Sequence, residues 1–466
     1  MKKIIMVLAV LIMLSTPMAS SYAQADVTVQ TNVEYEKMFK EVMEFLRESY
    51  VEGDKLTDKQ LFEAAMKGMF NELDAYSEFM TPEESEQFVK SLNSNYVGIG
   101  VQLSTVGDYI GITKVFKGSP ALAAGVETGD YFVNVDGVDV KGYSSKKLLD
   151  LVLGEEGTNV KITFGRGGST YNVNIKRALI SIPTVESVKV TDLYEDLNSE
   201  EEAQIAYISI SSFSKNTGTE FEGAIEEAKT AGAKYLILDM RNNSGGYVST
   251  AVKVSQSIVP KGGIVHFVNS NGIVVDHTST LESAPFEIVV LVNEYSASAT
   301  EFVAAAIQES NAGKIVGERT YGKGVAQYSI PYGQDYTIKL TMEEFFTRDY
   351  NKINHIGVKP DYFVEIPDYI IGDAKYYLYD NLDGVTQVEK VLDFLGYDVG
   401  TPDANYDMKT FNAVKKFQID NGLYGYGICD FTTQTKLNEV MIKSIEKNDP
   451  QFNKAIQLIL GKIHKK

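Results

Sequence analysis

Tryptophan is absent from this 466-residue chain, which also has only one cysteine and four histidines. A single cysteine excludes an intrachain disulfide, and Cys429 reads as a buried spectator thiol. His266, His277, His355 and His464 sit in no motif, and no two have the spacing of metal ligands. That excludes the common zinc patterns and leaves a Ser-His-Asp triad without a base. Asp276-His277 reads as an exposed turn, and His464 lies in a lysine-rich tail. Positive charge is scarce too. Lys plus Arg number 44 against 63 Asp plus Glu, a formal charge of −19. Such an acidic balance excludes nucleic acid and a polybasic membrane patch as natural partners. Long apolar runs are missing beyond the first residues. There, Met1-Lys-Lys is followed by an almost wholly apolar Ile4 to Leu14 and by Ala23-Gln-Ala25. This reads as a signal peptide over residues 1–25, with a retained anchor as the alternative. The protein is therefore expected to be exported, to the cell envelope or beyond.

What is present is ample core-forming material. The apolar fraction is 44%, and the length suggests roughly three domains. Residues 26–92 read as a helical arm for packing or dimerisation. Met38, Phe39, Val42, Leu46 and Tyr50 recur at helical spacing. Thr57 to Gln60 and Thr81 to Glu84 read as capping boxes, the second with Pro82 at the first helical position. Residues 93–180 change to short strands and glycine turns. The loop Gly98-Ile99-Gly100 offers backbone amides to a peptide carboxylate beside a strand edge, and Ser145 to Val152 reads as the helix lining the groove. Residues 181–368 alternate strand and helix, an α/β core. Residues 369–466 carry helical stripes, among them Val385, Val388, Val391 and Leu392, then Phe411, Val414 and Phe417.

Four arrangements in the core compete as the chemistry. The first joins Ser298, Lys323 and Gln327. The run Ile288 to Val292 reads as a buried strand and Phe302 to Ile307 as a helix. Ser298 then sits at a strand-to-helix turn, where free N–H groups and the helix dipole favour an oxyanion. Lys323 is a candidate base if its environment lowers its pKa, and Gln327 could hold its amine. Ser296 is the alternative nucleophile. The second is a phosphate loop: Gly317 to Lys323 satisfies GxxxxGK, but Gly324 stands where a magnesium-binding hydroxyl belongs. The third, a histidine triad or metal site, lacks residues. The fourth is the turn Asp239 to Gly246, whose two final glycines let the backbone approach a substrate and donate an N–H.

Several of these strings resemble known families. Ser119 to Asp130 (Ser-Pro-Ala-x-x-Ala-Gly-Val-x-x-Gly-Asp) is similar to PDZ domains. Leu73 to Ser77, Ile182 to Val185, Asp239 to Gly246, Ser296 to Glu301 and Gly357 to Asp361 occur in the order of the carboxy-terminal processing, or tail-specific, proteases. Ala75 replaces that family's proline and Thr300 its serine. The resemblance covers roughly residues 35–367. It implies a crotonase-like α/β protease core with an inserted PDZ domain that binds apolar C-terminal tails of polypeptide substrates. It also implies Ser298 as nucleophile, Lys323 as base, Gln327 as its partner, and the amides of Ala299 and Gly246 as oxyanion donors. No cofactor is implied, and a homodimer is. The C-terminal residues, from Leu395 through Tyr406, Phe417 and Asp430 to Thr433, resemble a three-helix peptidoglycan-binding domain, with a dimerisation appendage as the alternative. The implied activity is that of an exported serine endopeptidase. The alternative is a catalytically inactive PDZ scaffold bound to the cell wall.

Overall fold

The computed structural model describes residues 33–92, 95–194, 196–333, 335–372 and 374–465. The signal-peptide reading therefore lies outside the described residues. The chain forms two compact units: one runs to Ser91 and adds Val268–Ile273 and Val325–Glu344, and the other holds the remainder.

In the first unit the expected helices form over Val33–Ser49 and Asp58–Asn71. Thr57 caps the second: its hydroxyl accepts from the Gln60 amide at 3.2 Å, and the Gln60 side chain accepts from the Thr57 amide at 2.9 Å. The second box also forms, with the Thr81 amide donating to Glu84 at 2.8 Å. The strand Glu78–Met80 pairs antiparallel with residues 337–339. Residues 325–332 form a ribbon with 336–344. Buried Phe79 stacks on Tyr336 at 5.1 Å and meets Phe62 edge-on. The ribbon, expected within the α/β core, thus joins the N-terminal region by a strand ladder and an aromatic cluster that no local pattern announces.

The second unit includes the following three cores among its described residues. Strands Val101–Val106, Tyr109–Val115, Tyr131–Val135, Asn159–Arg166 and Ser169–Lys176 make one antiparallel sheet, with Val138–Asp139 beside it. Ile110, Phe132, Leu148 and Phe164 fill its core. The second core surrounds a six-stranded sheet in the order Val185–Val188, Ile205–Ile210, Tyr235–Asp239, Glu287–Val292, Gly313–Gly317, Tyr362–Phe363. The first strand pairs antiparallel and the others are parallel. Strand Tyr235–Asp239 is buried throughout, as continuous apolar runs in parallel sheets are. The third core joins helices Asp383–Phe394, Met408–Asp420 and Phe431–Lys447 around Val388, Tyr406, Phe417 and Cys429. Burial pushes the Cys429 thiol well up, so it stays protonated.

Two local readings differ. The last helix, Pro450–Ile463, does not join the three-helix cluster with which residues 369–466 group it. Its Phe452, Ala455, Ile456 and Ile459 pack on Tyr235, Ile237, Val289 and Leu291 of the six-stranded sheet. Those strand residues alternate in sequence, so they share one sheet face. Asp276-His277 lies in the strand Val274–Ser279 rather than in a turn. His277 packs edge-on against Phe267 at 5.6 Å, and the Asp276 carboxylate accepts from His266 Nδ1 at 2.6 Å.

Candidate active site

Strand Glu287–Val292 runs into a short turn, and helix Ala299–Glu309 begins one residue after Ser298. Ser298 holds φ 58° and ψ −117°, a conformation that costs a non-glycine residue about 1–3 kcal/mol and persists only where neighbours over-determine it. They do so here. The Ser298 amide donates to the Glu301 carboxylate at 2.7 Å, and the preceding Ala297 amide donates to the Asn243 carbonyl at 3.0 Å. Thr300 keeps the hydroxyl function expected of serine at its position and donates to the same Asn243 carbonyl at 2.8 Å. Ser296 is fully buried and structurally committed. Its hydroxyl donates to the Met240 carbonyl at 2.9 Å and accepts from the Asn293 amide at 3.0 Å. Ser298 is only half-buried.

Glu301 joins this turn to the lysine loop. Completely buried, it accepts four hydrogen bonds. One oxygen takes the Thr320 hydroxyl at 2.6 Å and the Gly322 amide at 2.7 Å. The other takes the Ser298 amide and the Lys323 amide, the latter at 2.8 Å. Burial pushes its carboxyl above the usual range, and these donors oppose the shift. Lys323 is half-buried. Its loop is closed from the other side by the His355 amide, which donates to the Gly322 carbonyl at 2.8 Å. A Cβ on Gly324 would stand 2.3 Å from the Asn354 amide nitrogen, so only glycine allows this approach. The GxxxxGK segment leads into a strand, Val325–Tyr332, whereas a phosphate loop requires a helix N-terminus.

The turn after strand Tyr235–Asp239 completes the arrangement. Buried Asn243 donates to the Ile210 carbonyl at 2.9 Å and accepts from the Gly245 amide at 2.9 Å. Gly245 has φ +102°, and a Cβ there would lie 2.9 Å from Ser298 Cβ and 3.1 Å from the Ala299 amide nitrogen. Gly246 has φ +142°, and its Cβ would overlap the Phe213 carbonyl at 2.2 Å. Gly245 therefore brings this backbone against the Ser298 turn, and Gly246 brings it against Phe213. Among the described residues, no protein acceptor is bonded to the Ala299 or Gly246 N–H. Chemically, the arrangement offers a serine hydroxyl on a strained backbone, a lysine on the neighbouring loop and two backbone N–H groups.

Gln327 lies in the other unit, on strand Val325–Tyr332, at an irregularity in its pairing. Its amide nitrogen donates to the Thr341 hydroxyl at 3.0 Å. In the β-rich module, Gly98 ends a short strand, Ile99 is buried and Gly100 takes φ +84°. A Cβ on Gly100 would meet Ser119 Cβ at 2.3 Å. The carbonyls of Ile99 and Gly100 are engaged by the Ala121 and Phe116 amides, at 2.9 and 3.0 Å. Half-buried Val101, Leu103 and Leu151 pack against the core to which Ile99 belongs. Burial raises the Tyr96 phenol, opposed by hydrogen bonds with the Val101 and Gly100 backbone.

Sequence reasoning had missed Glu301, Asn243 and Tyr96. The Ser-x-x-Glu spacing of Ser298 and Glu301 was a visible capping signal. No sequence rule announces that the same carboxylate reaches residues 320–323.

Comparison with known proteins finds the expected families. A Peptidase family S41 model matches residues 204–364, a PDZ domain model residues 97–176, and a peptidoglycan binding domain model residues 381–437. The carboxy-terminal processing protease CtpA of Bacillus subtilis (strain 168) is 34% identical over 414 residues, covering 87% of this chain and 86% of its own. A CtpA-like serine protease of Staphylococcus haemolyticus (strain JCSC1435) is 32% identical over 407 residues, covering 85% and 80%. Among solved structures, a photosystem II D1 C-terminal processing protease is 26% identical, with a TM-score of 0.41, over 72% of this chain and 92% of its own. With three domain models in sequence and relatives above 30% identity over most of both chains, the chain belongs to the carboxy-terminal processing proteases of peptidase family S41.

Proposed function

We propose that this protein is an exported endopeptidase that cuts polypeptides recruited by their apolar C-termini, using Ser298 and Lys323 as a dyad. The Lys323 amine takes the Ser298 proton as Oγ attacks the scissile carbonyl. The Ala299 and Gly246 amides receive the oxyanion, and the lysine ammonium protonates the leaving amine. Water, deprotonated by the same lysine, then releases the acyl group from Ser298. Gln327 orients the lysine through its carbonyl oxygen, its amide nitrogen being engaged by Thr341. The PDZ loop Gly98-Ile99-Gly100 receives the tail carboxylate. Residues 381–437 hold peptidoglycan, and the core is of the crotonase-like type. No cofactor takes part in this cycle.

The observation that carries the reading is the Glu301 carboxylate, which binds the amides of both Ser298 and Lys323 and so fixes the two loops to one point. Cleavage of an unstructured protein with an apolar C-terminus tests it, comparing the parent with Ser298→Ala and Lys323→Ala. The expected result is cleavage by the parent alone, without added metal or nucleotide. Full-rate cleavage by Lys323→Ala would overturn the dyad. Tail binding without cleavage by any of the three, with candidate activating peptides present, would favour the scaffold alternative.

A further inference from the structure

The helix Pro450–Ile463 brings polar side chains as well as apolar ones to the six-stranded sheet. Asp449 caps it, one oxygen accepting the Gln451 and Phe452 amides at 2.9 and 3.0 Å. The other oxygen takes Nη1 of Arg241 at 2.6 Å, across 208 positions of sequence. The same Nη1 lies 3.2 Å from Gln451 Oε1. Arg241 spends its Nε and Nη2 on Asp239, at 3.0 and 2.6 Å, and Asp239 also accepts the Tyr207 hydroxyl at 2.9 Å. Gln451, 1% exposed, turns its amide nitrogen to the Val364 carbonyl at 2.8 Å and to Glu318 at 3.3 Å.

These contacts fall at corresponding places. Arg241 opens the turn that ends in Gly246, and Glu318 opens the loop that ends in Lys323. One capping turn therefore grips the start of both segments, while Glu301 ties the lysine loop to the Ser298 turn. The cap cannot drift independently, because the apolar face behind it is packed on the strands from which both segments emerge. Bidentate pairing fixes a guanidinium in angle as well as in distance.

We infer that Asp449 and Gln451 are positioning residues: they set the oxyanion turn against the lysine loop and so act on the chemical step, not on substrate capture. This rests on the Ser298–Lys323 reading above. Displacements of about 1 Å in such assemblies cost up to about 100-fold in rate.

Asp449→Ser in the full chain separates the two duties of the residue. Serine caps a helix about as well as aspartate, but it carries no charge for Arg241. Asp449→Ser and Gln451→Ala are expected to lower kcat about 10- to 100-fold, with KM for a tailed substrate within about twofold. Amide hydrogen exchange supplies a readout independent of activity. Faster exchange is expected in residues 241–246 and 318–324, with none in 98–103. A kcat within twofold of the parent in both variants would overturn the inference. So would unchanged exchange in the two segments, or a general rise across the chain, which would make the helix cap merely structural. If the parent cleaves nothing, the dyad reading falls, and exchange alone decides whether the cap holds the two segments.

Discussion

Glu301 uses two oxygens to accept four donors, three of them backbone amides. Glutamine there would keep the volume but turn an NH2 group toward donors. Glu301→Gln is expected to cost about 2–3 kcal/mol in urea unfolding and to reduce cleavage more than tenfold, because an unsatisfied buried donor carries its full desolvation cost. Gly245 admits no side chain beside Ser298, so Gly245→Ala should abolish turnover while the PDZ domain still binds a tail peptide. A titration curve offers a third check. Burial, a hydrogen bond with Glu294 and the charge of Glu365 push the Glu318 carboxyl from its ordinary 4.5 up to about 8. A carboxyl raised in the folded state holds more protons folded than unfolded between those values. Stability should therefore fall as pH rises through that window and level off above it. Glu318→Gln should flatten the decline; an identical slope in both proteins would refute the assignment. Ser298 and Lys323 were legible in the sequence because motif and local strand-to-helix pattern coincide. Glu301 was legible only as a cap, since its other partners lie about twenty residues downstream.

Elements whose signals are local form where the sequence places them. The run Ile288 to Val292 is a strand, the following segment is a helix, and Tyr235–Asp239 is buried end to end. The elements that escaped are those defined by a distant partner. Phe452, Ile456 and Ile459 have helical spacing whatever they cover, and nothing in residues 450–463 names the sheet of residues 235–292 as that partner. The same holds for the ribbon 325–344 and its ladder with Glu78–Met80. Ile456 is fully buried in the sheet-facing cluster and absent from the three-helix cluster. Ile456→Ala should cost about 2–5 kcal/mol in the unfolding of the α/β core. Circular dichroism and limited proteolysis should show residues 381–447 surviving as a protected fragment.

Across the whole molecule, regions matching a PDZ domain, peptidase family S41 and a peptidoglycan binding domain model follow one another in one chain. No helix among the described residues is long and apolar enough to cross a membrane. The helix Val33–Ser49 leaves Tyr35, Met38, Phe39, Val42 and Phe45 about half exposed or more. We propose that a second copy covers this stripe, since an uncovered helical face of such residues is rare on a monomer. Phe39→Asp with Phe45→Asp should halve the mass measured by light scattering; an unchanged mass would exclude this face as the dimer contact.

The central claim is that Ser298 is the attacking atom, and it can be read directly. Acid-quenched turnover of a tailed substrate, followed by digestion and mass spectrometry, should find an acyl fragment esterified to the peptide containing Ser298, absent from Ser298→Ala. An adduct on any other residue, or unimpaired turnover by Ser298→Ala, would contradict the account.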